Sequence, residues 1–388
     1  MTSMRKTLWM FLAMVGSAAI SACGGGGSPI RSYVDLLGTD TLFVETYERT
    51  ADGFRGMLLS RNPVTRLAKY EGTLREDGTV ASFEVGWETP SENPDGAPSI
   101  HTVVTFDGDS ATIERHAPDG GETIRVAAPY GTIPMVGKTP YAYAVLEQSL
   151  AQGEGSDVQI LNLSRGTVQT ISFTLDSPGT FTYSLFGSPL LILAENSGRI
   201  TGISGKRTTM DIEGALADAA DVEALAAEFA QRDARGEGLG VPSPPGEASL
   251  TLNGALLSIS YSRPAKRGRE IFGGLVPYDE VWRTGANAAT SFSTTRDISF
   301  GGQTLPAGDY TLFSVYTEDS ATLIINGQTG QWGTAYDESQ DVMRVPMEFE
   351  RAQDEIERFT ISLEEQTGGG VIVLVWDTSM YFVPFSVN

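Results

Sequence analysis

The chain has 388 residues, with 49 acidic and 27 basic side chains and a formal net charge of −22. A surface this negative repels phosphate backbones, so the composition argues against nucleic acid as a partner. The length exceeds what one hydrophobic core usually serves, and we therefore expect two domains.

The first 22 residues have the pattern of a secretory signal peptide. Arg5 and Lys6 precede an uncharged, mostly apolar run, Thr7 to Ile20, which is too short to span a bilayer as a stable helix. The end of this segment, "ISAC", resembles the lipobox of bacterial lipoproteins, in which the cysteine is acylated and becomes the mature N-terminus. The resemblance implies that Cys23 carries lipid. Cys23 is also the only cysteine, so it forms no internal disulfide.

A Gly-rich tether, "GGGGSP", follows the cysteine, and we assign residues 23–29 to the lipidated cysteine and this tether. Gly24 replaces the aspartate that holds lipoproteins at the inner membrane of enteric bacteria. We therefore expect an outer-membrane protein that faces either the periplasm or the cell surface and contacts the membrane through its lipid. Beyond the signal peptide no apolar segment is long enough to cross a bilayer, which predicts a soluble body.

Residues 30–235 are predicted to form an N-terminal antiparallel β domain. Apolar residues alternate with polar ones in several short segments: Phe83, Val85 and Trp87; Ile171, Phe173 and Leu175; and Phe181, Tyr183 and Leu185. This period of two is typical of antiparallel sheets with one solvent-exposed face.

Two short helices are predicted in or after this sheet. The first covers residues near 139–152, where Pro140 occupies the first helical position. The second covers residues near 221–234, with Val222 and Phe229 on one face.

A Pro- and Gly-rich segment, residues 236–249, is predicted to link the two domains. Residues 250–388 then show about seven short alternating segments, which predict a β-sandwich or jelly-roll-like domain. Its only basic run is "RPAKRGR", Arg263 to Arg269. The predicted fold class is therefore mainly β, with two antiparallel β-rich domains and two short helices.

The C-terminal third, Ala248 to Asn388, resembles the domain-of-unknown-function 2911 family of bacterial envelope proteins. Four stretches carry the resemblance in order: "SRPAKRGREIFGGLVPYDEVWRTGANAAT", "LPAGDYTLF", "GQWGTAYDESQDVMRV" and the closing "VPFSV". The resemblance implies that the stretch from Val276 to Phe292 is a family hallmark, and it implies no particular activity.

This stretch has two interpretations. Trp282 and Trp332 could form an aromatic platform for a sugar or peptide, with Arg283 and Asn287 supplying directed hydrogen bonds. The same residues suit a structural corner, with Asn287 at a turn and Arg283 held by a carboxylate such as Asp337. Both interpretations stay open from the sequence.

Other chemistry has little support in the sequence. The segment that contains Tyr336, Asp337, Glu338 and Asp341 could bind a hard cation, but it lacks the ligand spacing of a known calcium loop. His101 and His116 flank a predicted hairpin turn without a zinc-site spacing. We expect no catalytic residues, no metal and no cofactor.

The sequence therefore favours a lipid-anchored envelope protein that binds a glycan, a peptide or an envelope protein without catalysis. Two alternatives stay open. The first domain could be a half-barrel that carries lipid, with both helices against its concave face, although alternation alone does not distinguish a half-barrel from a sandwich. A pair of carboxylates could also hydrolyse glycans.

Overall fold

The computed structural model describes residues 30–92, 98–135, 143–150, 157–185, 188–195, 197–205 and 211–387. The predicted signal peptide, Cys23 and the tether lie outside these residues. The described part is mainly β, with two sheets and two α-helices, which confirms the predicted fold class. None of the helices in these ranges is long and apolar enough to cross a bilayer.

The first sheet has fifteen strands. They are β1 (Arg31–Leu37), β2 (Asp40–Arg49), β3 (Gly53–Ser60), β4 (Arg66–Leu74), β5 (Val80–Glu88), β6 (Ile100–Asp107), β7 (Ser110–Ala117), β8 (Gly120–Ala127), β9 (Ile133–Met135), β10 (Asp157–Asn162), β11 (Thr167–Ser177), β12 (Thr180–Leu185), β13 (Ser188–Ala194), β14 (Ile200–Ser204) and β15 (Ile212–Ala217). Across the sheet the strands follow in the order β8, β7, β6, β5, β4, β3, β2, β1, β15, β14, β13, β12, β11, β10, β9. Neighbouring strands are antiparallel, except that β9 and β10 are parallel.

The first sheet curls until its two edges come close together. A flat sheet of this size would hold the edge strands about 65 to 70 Å apart. Yet β8 and β9, the two edge strands, are joined by residues 128–132, which span at most about 20 Å. Arg115 on β7 also donates hydrogen bonds to the carbonyl oxygens of Leu163 (2.8 Å) and Ser164 (2.9 Å), which follow β10 near the opposite edge. The sheet is therefore an open barrel with an inner and an outer face.

One continuous hydrophobic core covers the inner face. Among the alternating residues named above, Phe83, Val85, Trp87, Phe173 and Tyr183 belong to it and are at most 8% exposed. Helix α1 (Tyr143–Leu150) packs against this core through three buried side chains, those of Tyr143, Ala144 and Leu146. The predicted start of this helix, with Pro140, lies outside the described residues.

Helix α2 (Val222–Ala234) lies on the outer face, so the hypothesis that both helices occupy the concave face is wrong for this helix. Its start is capped by Asp221, whose side chain accepts a hydrogen bond from the backbone N–H of Ala224 (2.9 Å). Its apolar stripe packs against the outward side chains of β2, β3 and β4, because these strands carry apolar residues on both faces there. The contact consists of Val44, Leu59, Leu67, Val222, Ala226 and Phe229.

The second sheet has ten strands. They are β16 (Pro245–Leu252), β17 (Ala255–Ser262), β18 (Val281–Trp282), β19 (Thr290–Thr294), β20 (Ile298–Phe300), β21 (Gln303–Leu305), β22 (Gly308–Tyr316), β23 (Ala321–Asn326), β24 (Asp341–Gln366) and β25 (Gly369–Val387), with a 3₁₀ turn at Glu338–Gln340. Strand β16 begins inside the segment predicted as the linker, residues 236–249.

The second sheet folds over on itself into two packed layers, as in a sandwich. The long strands β24 and β25 bend at pairing irregularities between Arg351 and Thr360, and the second half of β24 returns to face β16 and β17. The hydroxyl of Tyr261 on β17 accepts from the backbone N–H of Ile361 (2.7 Å) and lies 3.2 Å from the carbonyl oxygen of that residue. The two layers enclose a single aromatic-rich core.

The basic run, residues 263–269, joins the two sheets. Arg267 forms an ion pair with Asp40 at the start of β2, and its carbonyl oxygen accepts from the backbone N–H of Thr39 (3.0 Å). Lys266 pairs with Asp377 (2.7 Å) and Glu355 (2.8 Å) of the second sheet. Arg267 and Lys266 are therefore used in internal pairs.

Candidate functional site

Trp282 lies in the core of the second sheet and is 5% exposed. Its ring stacks 5.9 Å from Trp376 and meets Phe359 edge-on at 5.1 Å. Trp332, in contrast, is 50% exposed. Because a ring enclosed by core side chains cannot stack on a sugar or peptide, the predicted platform of two indole rings does not form.

The residues after this buried indole form a tight corner. Thr284, Gly285 and Asn287 have φ angles of 50°, 155° and 60°. Arg283 is 6% exposed and donates a hydrogen bond to the carbonyl oxygen of Asn287 (3.1 Å). Burial lowers the pKa of Arg283 to about 10. This geometry matches the corner interpretation in the turn at Asn287, but Arg283 donates there to the Asn287 carbonyl oxygen, while Asp337 bonds Ser339.

The loop that carries Trp332 packs beside this corner through its backbone. Gly333 donates from its N–H to the carbonyl oxygen of Asn287 (3.0 Å), and a Cβ at Gly333 would overlap the Arg283 side chain. Asp337 accepts from the N–H (3.0 Å) and the hydroxyl (2.7 Å) of Ser339, and thus caps the 3₁₀ turn. The structure therefore brings the two loops together, but not the two rings.

The acidic segment after this loop is occupied by the protein's own donors. Asp341 accepts from Tyr336 (2.7 Å), Arg344 (2.7 Å) and Asn326 (2.9 Å). Burial and the Asp341 carboxylate raise the pKa of Tyr336 to about 12. Across the described ranges, no group of three or more His, Cys, Asp or Glu side chains is placed to hold a metal ion.

The two histidines lie opposite each other on β6 and β7. His101 pairs in register with His116, and their ring centroids are 6.4 Å apart. The Nε2 atom of His101 lies 2.7 Å from a carboxylate oxygen of Glu84. The hairpin thus brings the histidines together on the outer face of the first sheet, where they form a cross-strand contact.

A buried carboxylate that the sequence analysis missed holds α1 on the inner face of the first sheet. Glu147, on α1, is 2% exposed. One of its oxygens accepts from the Tyr33 hydroxyl and from the Ile200 N–H, each at 2.8 Å. The other oxygen accepts from the Tyr47 hydroxyl and the Arg31 guanidinium. We call these four sheet residues, Arg31, Tyr33, Tyr47 and Ile200, the Glu147 cradle.

The Glu147 cradle lies at one end of the curled sheet. Arg31 begins β1 and pairs in register with Tyr47 near the end of β2, while Ile200 begins β14. Arg49 approaches Glu147 from the same end, at 3.9 Å. The side chains of Arg31 and Arg49 are 21% and 25% exposed, so the charged end of the cradle reaches solvent. Its other end continues into the apolar core.

Two further carboxylates attach the start of α1 to the sheet. Glu45 on β2 accepts from the N–H groups of Tyr143 (2.6 Å) and Ala144 (3.3 Å) and from the Tyr70 hydroxyl (2.5 Å). Burial raises the pKa of Glu45 to about 7, although these hydrogen bonds act in the opposite direction. Asp35 accepts from the Tyr143 hydroxyl (2.5 Å), and burial raises its pKa to about 6.

This arrangement suits an anchor better than a hydrolytic site. Asp35, Glu45 and Glu147 are each bonded to donors of the protein itself. They therefore do not form the open pair of carboxyl groups that glycoside hydrolysis requires.

A sequence signal for this cluster exists, but it is weak. Arg31, Tyr33 and Asp35 occupy alternate positions of β1 on the side of the core, as do Glu45 and Tyr47 on β2. The signal is a charged residue at a strand position whose side chain faces the core, because a buried charge requires a partner.

The fold and the cluster define a mainly β protein with a curled sheet, an inner helix and a C-terminal sandwich. Residues 243–385 match the family model described as "Protein of unknown function (DUF2911)", which confirms the resemblance found in the sequence. No curated protein matches the chain. A solved structure of a DUF1089 family protein from Pseudomonas aeruginosa is similar at 13% identity and a TM-score of 0.31, covering 47% of this chain and 94% of that chain.

Proposed function

We propose that this protein is a lipid-anchored, non-catalytic binding protein of the bacterial cell envelope. In this proposal Cys23 carries the anchor, residues 23–29 include the tether, and Gly24 in place of an aspartate indicates the outer membrane. The two sheets are two domains, predicted as residues 30–235 and 250–388 with the linker 236–249, and the second extends back to Pro245, where β16 begins. The proposal for the anchor rests on the lipobox pattern and on the single cysteine.

The ligand site lies inside the curled first sheet, and the ligand is lipid-like. The observation that carries this proposal is the continuous apolar inner face, on which the described residues of α1 pack through apolar side chains and carboxylate contacts. An acyl chain on this face would contribute about 0.8 kcal/mol for each buried methylene group. The first sheet would then act as a carrier of an amphipathic molecule.

The second sheet supports a second candidate function, contact with a glycan, a peptide or an envelope protein. The supporting observation is the exposed indole of Trp332. Trp282 and Arg283 are used to build the corner, so they add no contact surface to that indole.

Extraction of bound lipid tests the carrier proposal. Residues 24–388 would be secreted behind an ordinary signal peptide, which removes the covalent anchor, and purified without detergent. We expect organic solvent to release an amphiphile in about equimolar amount, identified by mass spectrometry. A secreted protein of similar size, purified in parallel, is the control. An extract no richer in lipid than the control would refute the carrier proposal.

A further inference from the structure

We propose that the Glu147 cradle is a binding site for the carboxylate head of a single-chain fatty acid, and that Glu147 occupies this site as an internal substitute. This inference rests on the proposed carrier function and names the ligand class of that site. When α1 withdraws, a fatty acid would place its head in the cradle and its tail along the inner face.

The donors and the acceptor of this site belong to different elements. Arg31, Tyr33, Tyr47 and the Ile200 N–H are fixed on three strands of one sheet, whereas Glu147 comes from a short helix. Four donors from β1, β2 and β14 thus converge on one carboxylate. Without an anion, the Tyr47 hydroxyl and the Ile200 N–H would lose this acceptor, whereas the Tyr33 hydroxyl would keep the carbonyl oxygen of Ile200 at 2.8 Å. An unmade hydrogen bond is unfavourable in an apolar surrounding. Departure of the helix therefore favours entry of another anion.

A carboxylate suits these positions because each oxygen of Glu147 already accepts two hydrogen bonds. Tyr33 and Ile200 bond one oxygen, while Tyr47 and Arg31 bond the other. Charge-assisted hydrogen bonds of this type are the strong ones. Arg31 and Arg49 also place two cations at the solvent-exposed end of the cradle, in a chain with a formal net charge of −22.

The attachment of α1 is compatible with its displacement. The described residues of α1, Tyr143–Leu150, are held on the sheet by side-chain contacts. Those contacts include the carboxylates of Asp35, Glu45 and Glu147, in addition to apolar packing. Helix α1 covers the inner ring of Tyr33, on which the ring of Tyr143 stacks at 3.8 Å. The core that continues from Tyr33 would accept the tail.

Calorimetric titration of the purified full-length protein, stripped of bound lipid, tests this inference. The probes are laurate, dodecanol and dodecyltrimethylammonium, which share a tail and differ in head charge. We expect laurate to bind at least about 10-fold more tightly than dodecanol, since a charge-assisted hydrogen bond contributes a factor of this order. The cationic probe should bind most weakly.

Two variants should change laurate affinity in opposite directions. Arg31→Met removes a donor and should weaken binding about 10-fold or more, whereas Glu147→Gln weakens the internal competitor and should tighten binding by a similar factor. Arg31→Lys keeps the charge and should lie between the wild type and Arg31→Met. Exposed Arg125→Met and Glu71→Gln are the matched controls, and circular dichroism verifies that each variant is folded.

The outcomes separate this inference from the proposed function. Equal binding of laurate and dodecanol, unchanged in the variants, would overturn the carboxylate site and leave lipid binding in place. Weaker laurate binding in both Arg31→Met and Glu147→Gln would make Glu147 a structural anchor only and would also overturn the inference. If no probe binds, the inference and the carrier function fail together.

Discussion

Glu45 and Glu147 both attach α1 to the sheet, but one carboxylate belongs to the sheet and the other to the helix. Glu45 belongs to the sheet and accepts from the N–H groups of Tyr143 and Ala144, the first described residues of α1. Glu147 belongs to the helix and accepts from donors of the sheet. A change at either residue therefore loosens the helix, but only a change at Glu147 alters the occupant of the cradle.

Glu45 should make the stability of the first sheet depend on pH. Its pKa rises from 4.5 in the unfolded chain to about 7 in the native state, so the native state retains a proton over this interval. The contribution of Glu45 to the free energy of unfolding is fully present below about pH 4.5 and is lost as the pH rises through about 7. Asp35 acts in the same direction at lower pH, because its pKa is raised to about 6.

We expect the melting temperature of Glu45→Gln to fall less than that of the wild type between about pH 5 and about pH 8. Thermal unfolding followed by circular dichroism at both pH values measures this difference. Exposed Glu71→Gln should behave like the wild type. An identical fall in Glu45→Gln and the wild type would show that Glu45 does not titrate in this interval.

The two tryptophans of the hallmark loops should respond differently to truncation. Trp282→Ala removes a buried ring and should destabilise the second sheet by about 3 to 5 kcal/mol. Trp332→Ala removes an exposed ring and should cost less than about 1 kcal/mol. Urea unfolding of both variants measures these costs. Similar losses for the two substitutions would contradict the core position of Trp282.

The sequence predicted which side chains are apolar, but not which polar ones meet. Phe83, Val85 and Trp87 were assigned to the inner face by alternation, which is a local property. Glu147 bonds Tyr33 and Tyr47 across 114 and 100 positions of the chain. Such partners depend on strand order and sheet curvature, and neither is encoded in a short window.

At the scale of elements, β15 determines how closely α1 approaches the sheet. Gly214 lies beneath the hydrogen bond between Asp35 and Tyr143, and a Cβ there would overlap both side-chain oxygens. We expect Gly214→Ala to lower the stability of the first sheet by about 1 to 3 kcal/mol, the usual cost of overpacking. Chemical denaturation measures this loss. Gly121→Ala, where the nearest atom to a Cβ would be His116 Nδ1 at 3.3 Å rather than atoms at 2.3 Å, is the control.

A Gly214→Ala variant as stable as Gly121→Ala would show that α1 does not depend on this close approach. The two glycines suit the comparison because both lie in strands of the first sheet and neither has a positive φ angle.

Local sequence signals predicted the bounds of α2 but not its position on the sheet. The range predicted for α2, residues 221–234, agrees with the observed Val222–Ala234 because an N-cap and an apolar stripe mark it locally. Its position on the outer face was not predicted, since amphipathicity identifies a buried side but not the partner surface. The parallel pairing of β9 and β10 likewise depends on how the sheet edges meet.

At the scale of the whole molecule, the alternation of apolar residues did not predict the curvature of the first sheet. Alternation with period two distinguishes the faces of a sheet, and it is the same in a half-barrel and a sandwich. The curl became apparent only from the order of strands, which places consecutive strands β8 and β9 at opposite edges.

Arg267 should control the contact between the two sheets. Its pair with Asp40 is partly exposed on the aspartate side, so Arg267→Ala should weaken the contact by about 1 kcal/mol, or about fivefold in the opening equilibrium. Cleavage of the segment 236–244 by a protease that does not recognise arginine measures this opening. Arg235→Ala, at an exposed pair with Glu237, is the control. Equal cleavage rates for both variants would exclude a role of Arg267 in the contact.

Hydrogen exchange of α1 with and without laurate tests most directly whether this helix occupies the ligand site. A ligand normally slows exchange in the residues around it. We expect laurate to speed exchange across Tyr143–Leu150, because the helix must leave the sheet, and to slow exchange in β1 and β2. Slower or unchanged exchange in α1 on laurate binding would contradict displacement of the helix.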